Sequence, residues 1–305
     1  MSITIFSHPD CELHNPDENH PECPERIQAI NDQLIRSGME FVVQQKDAGM
    51  AHLDDIYRAH SKIYVDELIA KSPQEGHIWL DPDTPMTPQS LQAARRAAGA
   101  AIDAVDEVMN ADNQQAFCAV RPPGHHATYD QAMGFCLFNN IAIAACYAMH
   151  KYDLERIAII DFDVHHGNGT EDIFKNDDRV LFCSSFQSAF YPFTGEDSNH
   201  KNIVNVPLAA GCKGPEWRAA VSELWFNAIE EMKPQLILIS AGFDGHAEDD
   251  MAQFFLREDD YHWISEQLKQ LADRHCKGRI VSTLEGGYNL SALGRSVVAH
   301  LKGMM

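Results

Sequence analysis

Six short apolar runs rich in β-branched residues punctuate this chain: Ile3–Phe6, Ala116–Val120, Ile157–Ile160, Val180–Cys183, Leu236–Ile239 and Ile280–Leu284. A strand with one face in water alternates polar and apolar residues, whereas a strand covered on both faces does not. These runs do not alternate, and most are bounded by Gly, Pro or Asp. Between them lie helical patterns at Pro88–Met109, Phe138–His150, Glu216–Met232 and Asp259–His275, and another that opens at Pro24-Glu25-Arg26 and closes at Ser37-Gly38. Strands alternating with helices specify an α/β fold, a largely parallel sheet with helices on both faces. With no internal repeat, low-complexity tract or linker, the 305 residues are expected to form a single domain over 1–305.

Residues able to do chemistry cluster directly after the apolar runs. They are Arg121-Pro-Pro-Gly-His125-His126, Asp161-Phe-Asp163-Val-His165-His166-Gly-Asn168-Gly, Ser240-Ala-Gly-Phe-Asp244-Gly-His246 and Glu285-Gly-Gly-Tyr288. In a parallel sheet this is the carboxyl edge, where open α/β folds place their ligands.

Asp163 and His165 are two apart in an extended segment, so they project from one face and can meet one ion. Asp161 shares that face and suits an outer shell. Asp244 completes an Asp-His-Asp set with an open position for water or substrate. Such nitrogen and oxygen donors suit catalytic zinc, and the same set admits Fe(II), Co(II) or Mn(II). Each residue alone reads as an ordinary cap or polar surface; their joint occurrence points to metal binding. His125 and His126 supply a base and an acid, and adjacent residues diverge enough to do different jobs. Tyr288 is a phenol placed to donate to a carbonyl oxygen as charge develops there. The sum describes hydrolysis of an unactivated carbonyl bond.

Taken together, these motifs and His20-Pro-Glu-Cys-Pro-Glu-Arg26 resemble the histone deacetylase and acetylpolyamine amidohydrolase family, closer to its class II branch and bacterial members. The likeness runs from His8 to about His300. It implies an arginase/deacetylase-like sheet of about eight strands. It also implies zinc held by Asp163, His165 and Asp244, with Fe2+ as a substitute. His126 would be general base and then acid, His125 would give electrostatic support, and Tyr288 would bind the carbonyl. Asp161 would hold His125, and Asn168 stands where class I enzymes carry an aspartate. An amide stabilises a charged imidazole less than a carboxylate does, so His126 is expected to be the less basic of the pair.

The resemblance implies structural K+ as well, held by Asp161 and Ser184 with backbone oxygens of Asp163, His165 and Ser185. A second monovalent site would use carbonyls around Phe174, Asp177 and Val180. Phe135 and Tyr191 would wall an acyl-lysine tunnel, with Gly134 and Gly287 beside it and Met251 at its rim. Arg26 would line an inner channel for departing acetate. The implied substrate is an acetylated lysine peptide or protein, or an acetylated polyamine. The short stretch Gly76–Thr87 leaves no room for a long insertion narrowing the entrance, whereas Glu248-Asp249-Asp250 offers a candidate gatekeeper for a distal ammonium.

A formal charge of −21 argues against nucleic acid and anionic membranes and attracts cations. Eight cysteines without a CxxC pair read as reduced thiols. No apolar run reaches the roughly 18 residues a span needs, and the first residues turn polar too early for a signal peptide. A cytoplasmic location is therefore expected, as monomer or homo-oligomer. Two rival readings are a catalytically weak acyl-lysine binding module and a two-manganese ureohydrolase. The second needs more bridging carboxylates than the motifs offer.

Overall fold

The computed structural model describes residues 3–15, 20–110 and 114–305. Met1 and Ser2, on which the reading of the N-terminus partly rests, lie outside the described residues. The strands are β1 (Ile3–Ser7), β2 (Val43–Asp47), β3 (Ile78–Asp81), β4 (Thr84–Met86), β5 (Gln115–Cys118), β6 (Ile157–Asp161), β7 (Val180–Gln187), β8 (Ile203–Leu208), β9 (Leu236–Ala241) and β10 (Ile280–Leu284). The helices are α1 (Glu25–Arg36), α2 (Leu53–Ile56), α3 (Lys62–Lys71), α4 (Ser90–Asn110), α5 (Asn140–Tyr152), α6 (Asn168–Phe174), α7 (Gly214–Met232), α8 (Glu258–His275) and α9 (Leu290–Met304).

Eight strands form one sheet in the order β2-β1-β5-β10-β9-β6-β7-β8, every pair parallel, while β3 and β4 make a separate antiparallel hairpin. The absence of alternation in the six apolar runs has a direct cause. Successive side chains of the central strands enter different cores. Ile157 and Ile159 join the core under α4 and α5, whereas Ala158 and Ile160 join the core under α1, α7, α8 and α9. Leu236 and Leu238 divide from Ile237 and Ile239 in the same way.

The two edge strands carried no apolar run. β2 is Val-Gln-Gln-Lys-Asp with its last four residues exposed, and β8 is mostly half-buried. A strand paired on one side only and wetted along its length needs no continuous apolar sequence. The sheet has the expected α/β architecture, and its parallel strands deliver the loops after β5, β10, β9, β6 and β7 to one edge. All eight cysteines are free thiols. Among the described residues no helix is long and apolar enough to cross a membrane.

Candidate functional site

Asp161 is the last residue of β6, and its register partners are Ser184 on β7 and Ser240 on β9. The chain then turns so that Asp163 and His165 face the loop after β9, which carries Asp244. Donor atoms of Asp163, His165 and Asp244 lie within 4.8 Å of one another, and all three residues are buried. His165 Nδ1 is 3.0 Å from Asp163 Oδ1 and 3.1 Å from Asp244 Oδ2. A tetrahedron built on bonds of about 2.0–2.1 Å has edges of about 3.3 Å, so this spacing matches one small ion.

Two glycines make the convergence possible. A Cβ on Gly242 would stand 2.0 Å from Asp163 Oδ2, and one on Gly286 would stand 2.1 Å from Asp244 Oδ2. Backbone donors fix the carboxylates: Gly286 N–H donates to Asp163 at 2.8 Å, and Val164 N–H donates to Asp244 at 3.0 Å. Burial would raise Asp163, yet the charge of His125 and the bonds from His165 hold it below the usual range. Burial and the Asp163 charge push Asp244 up to about 6. Burial opposes a charged His165, but Asp163 and Asp244 outweigh it and push the ring up to about 10.

The imidazole pair follows β5. Their ring centroids are 4.0 Å apart, and their environments differ. His125 Nδ1 lies 2.9 Å from Asp161 Oδ2, and its backbone N–H donates to Glu285 at 3.1 Å. Burial works against charge on His125, but Asp161 and Asp163 push it up to about 10. His126 Nδ1 lies 2.7 Å from Asn168 Oδ1, at the start of α6. Burial, and then the charges of His125 and His165, hold His126 well below its ordinary value. Two adjacent histidines thus carry opposite charge preferences, and the sign agrees with the carboxylate-versus-amide argument.

Glu285 is a residue whose role the sequence left unassigned. Its buried carboxylate accepts from Gly124 N–H at 2.7 Å and from Ser240 Oγ at 3.1 Å, tying the loop after β10 to the loop after β5 and to the end of β9. Tyr288 ends that last loop, and its phenol is pushed up by burial, so it stays protonated. Arg26 donates to Gly287 O at 2.7 Å, to Glu285 O at 2.5 Å and to Glu22 at 3.0 Å, and its guanidinium lies 4.9 Å from the Tyr288 ring centre. Asn289 caps α9 through Ala292 N–H at 3.0 Å.

His125, His126, His165 and Tyr288 floor a cavity of about 150 Å³. Phe135, Tyr191, Gly134 and Met251 line it, together with Gly286, Pro123, Phe190 and Asp83. Gly286 takes the place expected of Gly287, whose carbonyl instead faces Arg26. The Phe190 ring stacks on His165 at 5.6 Å, and Tyr191 stands edge-on to His126 at 5.2 Å. Gly134 leaves room for His126, since a Cβ there would fall 2.4 Å from its ring, and Phe135 next to it holds φ of 68°.

Gly76–Thr87 adds no long insertion, but it forms the β3–β4 hairpin, and its turn brings Asp83 to the cavity. Asp83 Oδ1 accepts from Gly134 N–H at 3.1 Å and from Thr84 Oγ1 at 2.8 Å. The Asp81-Pro-Asp83 turn was the signal available in the sequence. Glu248, Asp249 and Asp250 do not line the cavity. Glu248 pairs with Arg295 at 2.8 Å, and Asp249 accepts backbone N–H groups from Met251, Tyr288 and Asn289 at 3.0, 2.7 and 2.8 Å.

Asp161 and Ser184, two residues of the first expected monovalent site, are register partners on neighbouring strands, and Ser184 Oγ is buried without a hydrogen-bond partner. Ser185 Oγ accepts from Trp217 at 2.9 Å, leaving its carbonyl as the only group expected there. The second expected site differs. The carbonyls of Phe174, Asp177 and Val180 converge on the side-chain amide of Asn202.

Known proteins share this chain's sequence pattern and fold. The histone deacetylase domain family matches residues 20–304. The chain is 38% identical to a probable deacetylase of Archaeoglobus fulgidus, covering 95% of this chain and 82% of that one. It is 36% identical to a histone deacetylase-like amidohydrolase of Pseudomonas aeruginosa, covering 93% and 77%. The crystal structure of the HDA15 HD domain superposes with a TM-score of 0.93 at 32% identity, over 99% of this chain and 88% of that one.

Proposed function

Because this chain belongs to the histone deacetylase domain family, we propose that it is a zinc-dependent hydrolase of N-acetyl amides on lysine side chains or similar long amines, releasing acetate. The observation that carries the reading is the convergence of Asp163, His165 and Asp244 beside two imidazoles of opposite basicity. The donor set fits zinc, and Fe2+ as its substitute, in type and spacing. The buried carboxyl groups of Asp161, Asp163, Asp244 and Glu285 outnumber the nearby imidazolium charges, and burying such an excess is costly unless a cation joins it. A bound zinc ion supplies Lewis acidity toward the acetyl carbonyl and the attacking water.

His126, neutral and with Nδ1 turned to Asn168, presents Nε2 as a proton acceptor. It takes one proton from water as the oxygen attacks the carbonyl carbon, and returns it to nitrogen as the C–N bond breaks. The products are acetate and the amine, which leaves as an ammonium once it takes the remaining proton of the acetic acid. His125, charged through Asp161, stabilises negative charge at the reacting centre. Tyr288 donates its phenolic proton in a hydrogen bond to the carbonyl oxygen as charge grows there. Arg26 and Asp249 hold the loop that carries Tyr288; Arg26 is also the group assigned to the acetate path. K+ fits beside Asp161 and Ser184, whose orphaned hydroxyl calls for a partner.

Phe135 and Tyr191, with Met251 at the rim, suit a methylene stem lying between rings. The polyamine reading has one observation in its favour, the Asp83 carboxylate on the cavity wall. A side-by-side panel of acetyl-lysine peptides and acetylated polyamines, with zinc-loaded protein and Tyr288→Phe as control, tests both. The expected result is turnover of acetyl-lysine with the higher kcat/KM. Turnover of polyamines alone would select the second reading. Binding of acetyl-peptide without acetate release would replace both with a recognition module.

A further inference from the structure

We infer that the side-chain amide of Asn202 takes the place of a structural monovalent cation in the carbonyl cradle at the end of α6. Three backbone oxygens meet one atom there. Asn202 Nδ2 is 2.8 Å from Phe174 O, 3.2 Å from Asp177 O and 3.0 Å from Val180 O. Two of these carbonyls already accept one turn hydrogen bond each, from Asp177 N–H at 2.9 Å and Val180 N–H at 3.0 Å. Each carbonyl oxygen has a second lone pair. The contacts with Phe174 and Val180 are buried and the one with Asp177 is half-buried, and a ring of inward lone pairs screened in this way is satisfied by a cation or an N–H donor at its centre.

The amide meets that need without charge. Its nitrogen carries two protons and stands at the point common to all three oxygens, so an ion and this nitrogen exclude each other. Turning the amide over would set Oδ1 against three acceptors. Asn202 is held from the other side as well: its backbone oxygen accepts from Phe182 N–H at 2.9 Å, one residue ahead of β8. The side chain thus ties the α6–β7 turn to the start of the edge strand, the job a bridging ion would otherwise do.

The same molecule provides the contrast. Beside Asp161, Ser184 Oγ is buried with no partner and a carboxylate stands next to it, so that place lacks a cation's charge and its coordination. At Asn202 the amide already fills the coordination, and its side chain leaves no orphaned polar atom. The chain therefore takes one structural K+, not two, and its far edge is indifferent to potassium. This holds whether or not the chain hydrolyses amides.

Crystals of the full chain soaked in thallium(I), which scatters anomalously and mimics potassium, locate the ions directly. The wild type is expected to show no peak at the three carbonyls. In Asn202→Ala the cradle is emptied, and a peak is expected there under the same soak. The variant's melting midpoint is expected to fall in choline buffer and recover on adding potassium, by more than the wild type's does. If Asn202→Ala does not fold, Asn202→Ser opens the same space with a shorter side chain. A wild-type peak at the carbonyls overturns the inference. So does a folded variant with no peak there, because the carbonyls would then not form a cation cradle.

Discussion

The amide oxygen of Asn168 lies 2.7 Å from Nδ1 of His126. That contact fixes which imidazole nitrogen carries the proton and leaves Nε2 free on the cavity side. Replacing the amide by a carboxylate changes the charge at that contact and little else. Asn168→Asp should stabilise the protonated ring, and the acid limb of kcat/KM should move to higher pH by about one unit or more. A pH–rate profile of the two proteins checks this. An unmoved limb would mean that His126 is not the base.

Tyr288→Phe removes one donor and no ring. A drop in kcat of about 10²–10³-fold with little change in KM is expected, since the hydrogen bond strengthens only as charge grows on the carbonyl oxygen. Steady-state kinetics on an acetyl-lysine peptide supply the measurement, and a change confined to KM would assign the phenol to ground-state binding instead.

Asp249 belongs to the acidic stretch that the sequence offers as a gatekeeper for a distal ammonium, and the structure gives it another task. Its carboxylate collects three backbone N–H groups, two of them from Tyr288 and Asn289. Asp249→Ala should lower unfolding free energy by about 2–4 kcal/mol and reduce kcat through a displaced Tyr288. Asp250→Ala should do neither. Urea titration alongside kinetics distinguishes the pair, and equal effects from both variants would contradict the assignment.

The difference between what sequence showed and what it hid follows from how each residue acts. Asp163, His165, Asp244 and Tyr288 were legible because a donor set demands particular residue types just past strand ends. The sheet was legible because strands buried on both faces must be apolar throughout. Edge strands β2 and β8 escaped notice because water can solvate them. Asp83 and Glu285 were missed as functional residues because a carboxylate in a turn looks the same whether it faces solvent or receives backbone donors. The Asn202 cradle is built from backbone oxygens, and these carry no sequence signal.

Acid should weaken the fold in two stages. Buried His60 is held down to about 4 by desolvation, below the 6.5 of an unfolded histidine. The unfolded chain therefore takes up that proton first, and stability declines as pH falls from about 6.5 toward 4, by up to about 3 kcal/mol. Burial alone would raise Glu22, but Arg121, His14 and Arg26 hold it at about 2, below its ordinary 4.5. Its stabilisation is complete above 4.5 and is lost as pH drops from there to about 2. Melting midpoints across pH 3–8 check both stages. Glu22→Gln should remove only the lower one, together with stability at neutral pH, because two buried arginines lose a charged partner.

Removal of the divalent ion should act on both stability and protons. The three donors are brought together by the fold, so binding favours the folded state. With free zinc at about a thousandfold above its Kd, the gain is about 4 kcal/mol, or roughly 6 °C in Tm for a chain of this size. Chelation should abolish turnover and lower Tm, and zinc should restore both. Without the ion, Asp163 and Asp244 push His165 up to about 10, so the ring holds a proton that a metal must displace. Zinc affinity should accordingly rise with pH, by about tenfold per unit for each proton released. Competition with a chromophoric chelator between pH 6 and 8.5 measures the slope. A flat profile would mean that His165 carries no proton when the site is empty, and that its contacts with the two aspartates do not set its charge.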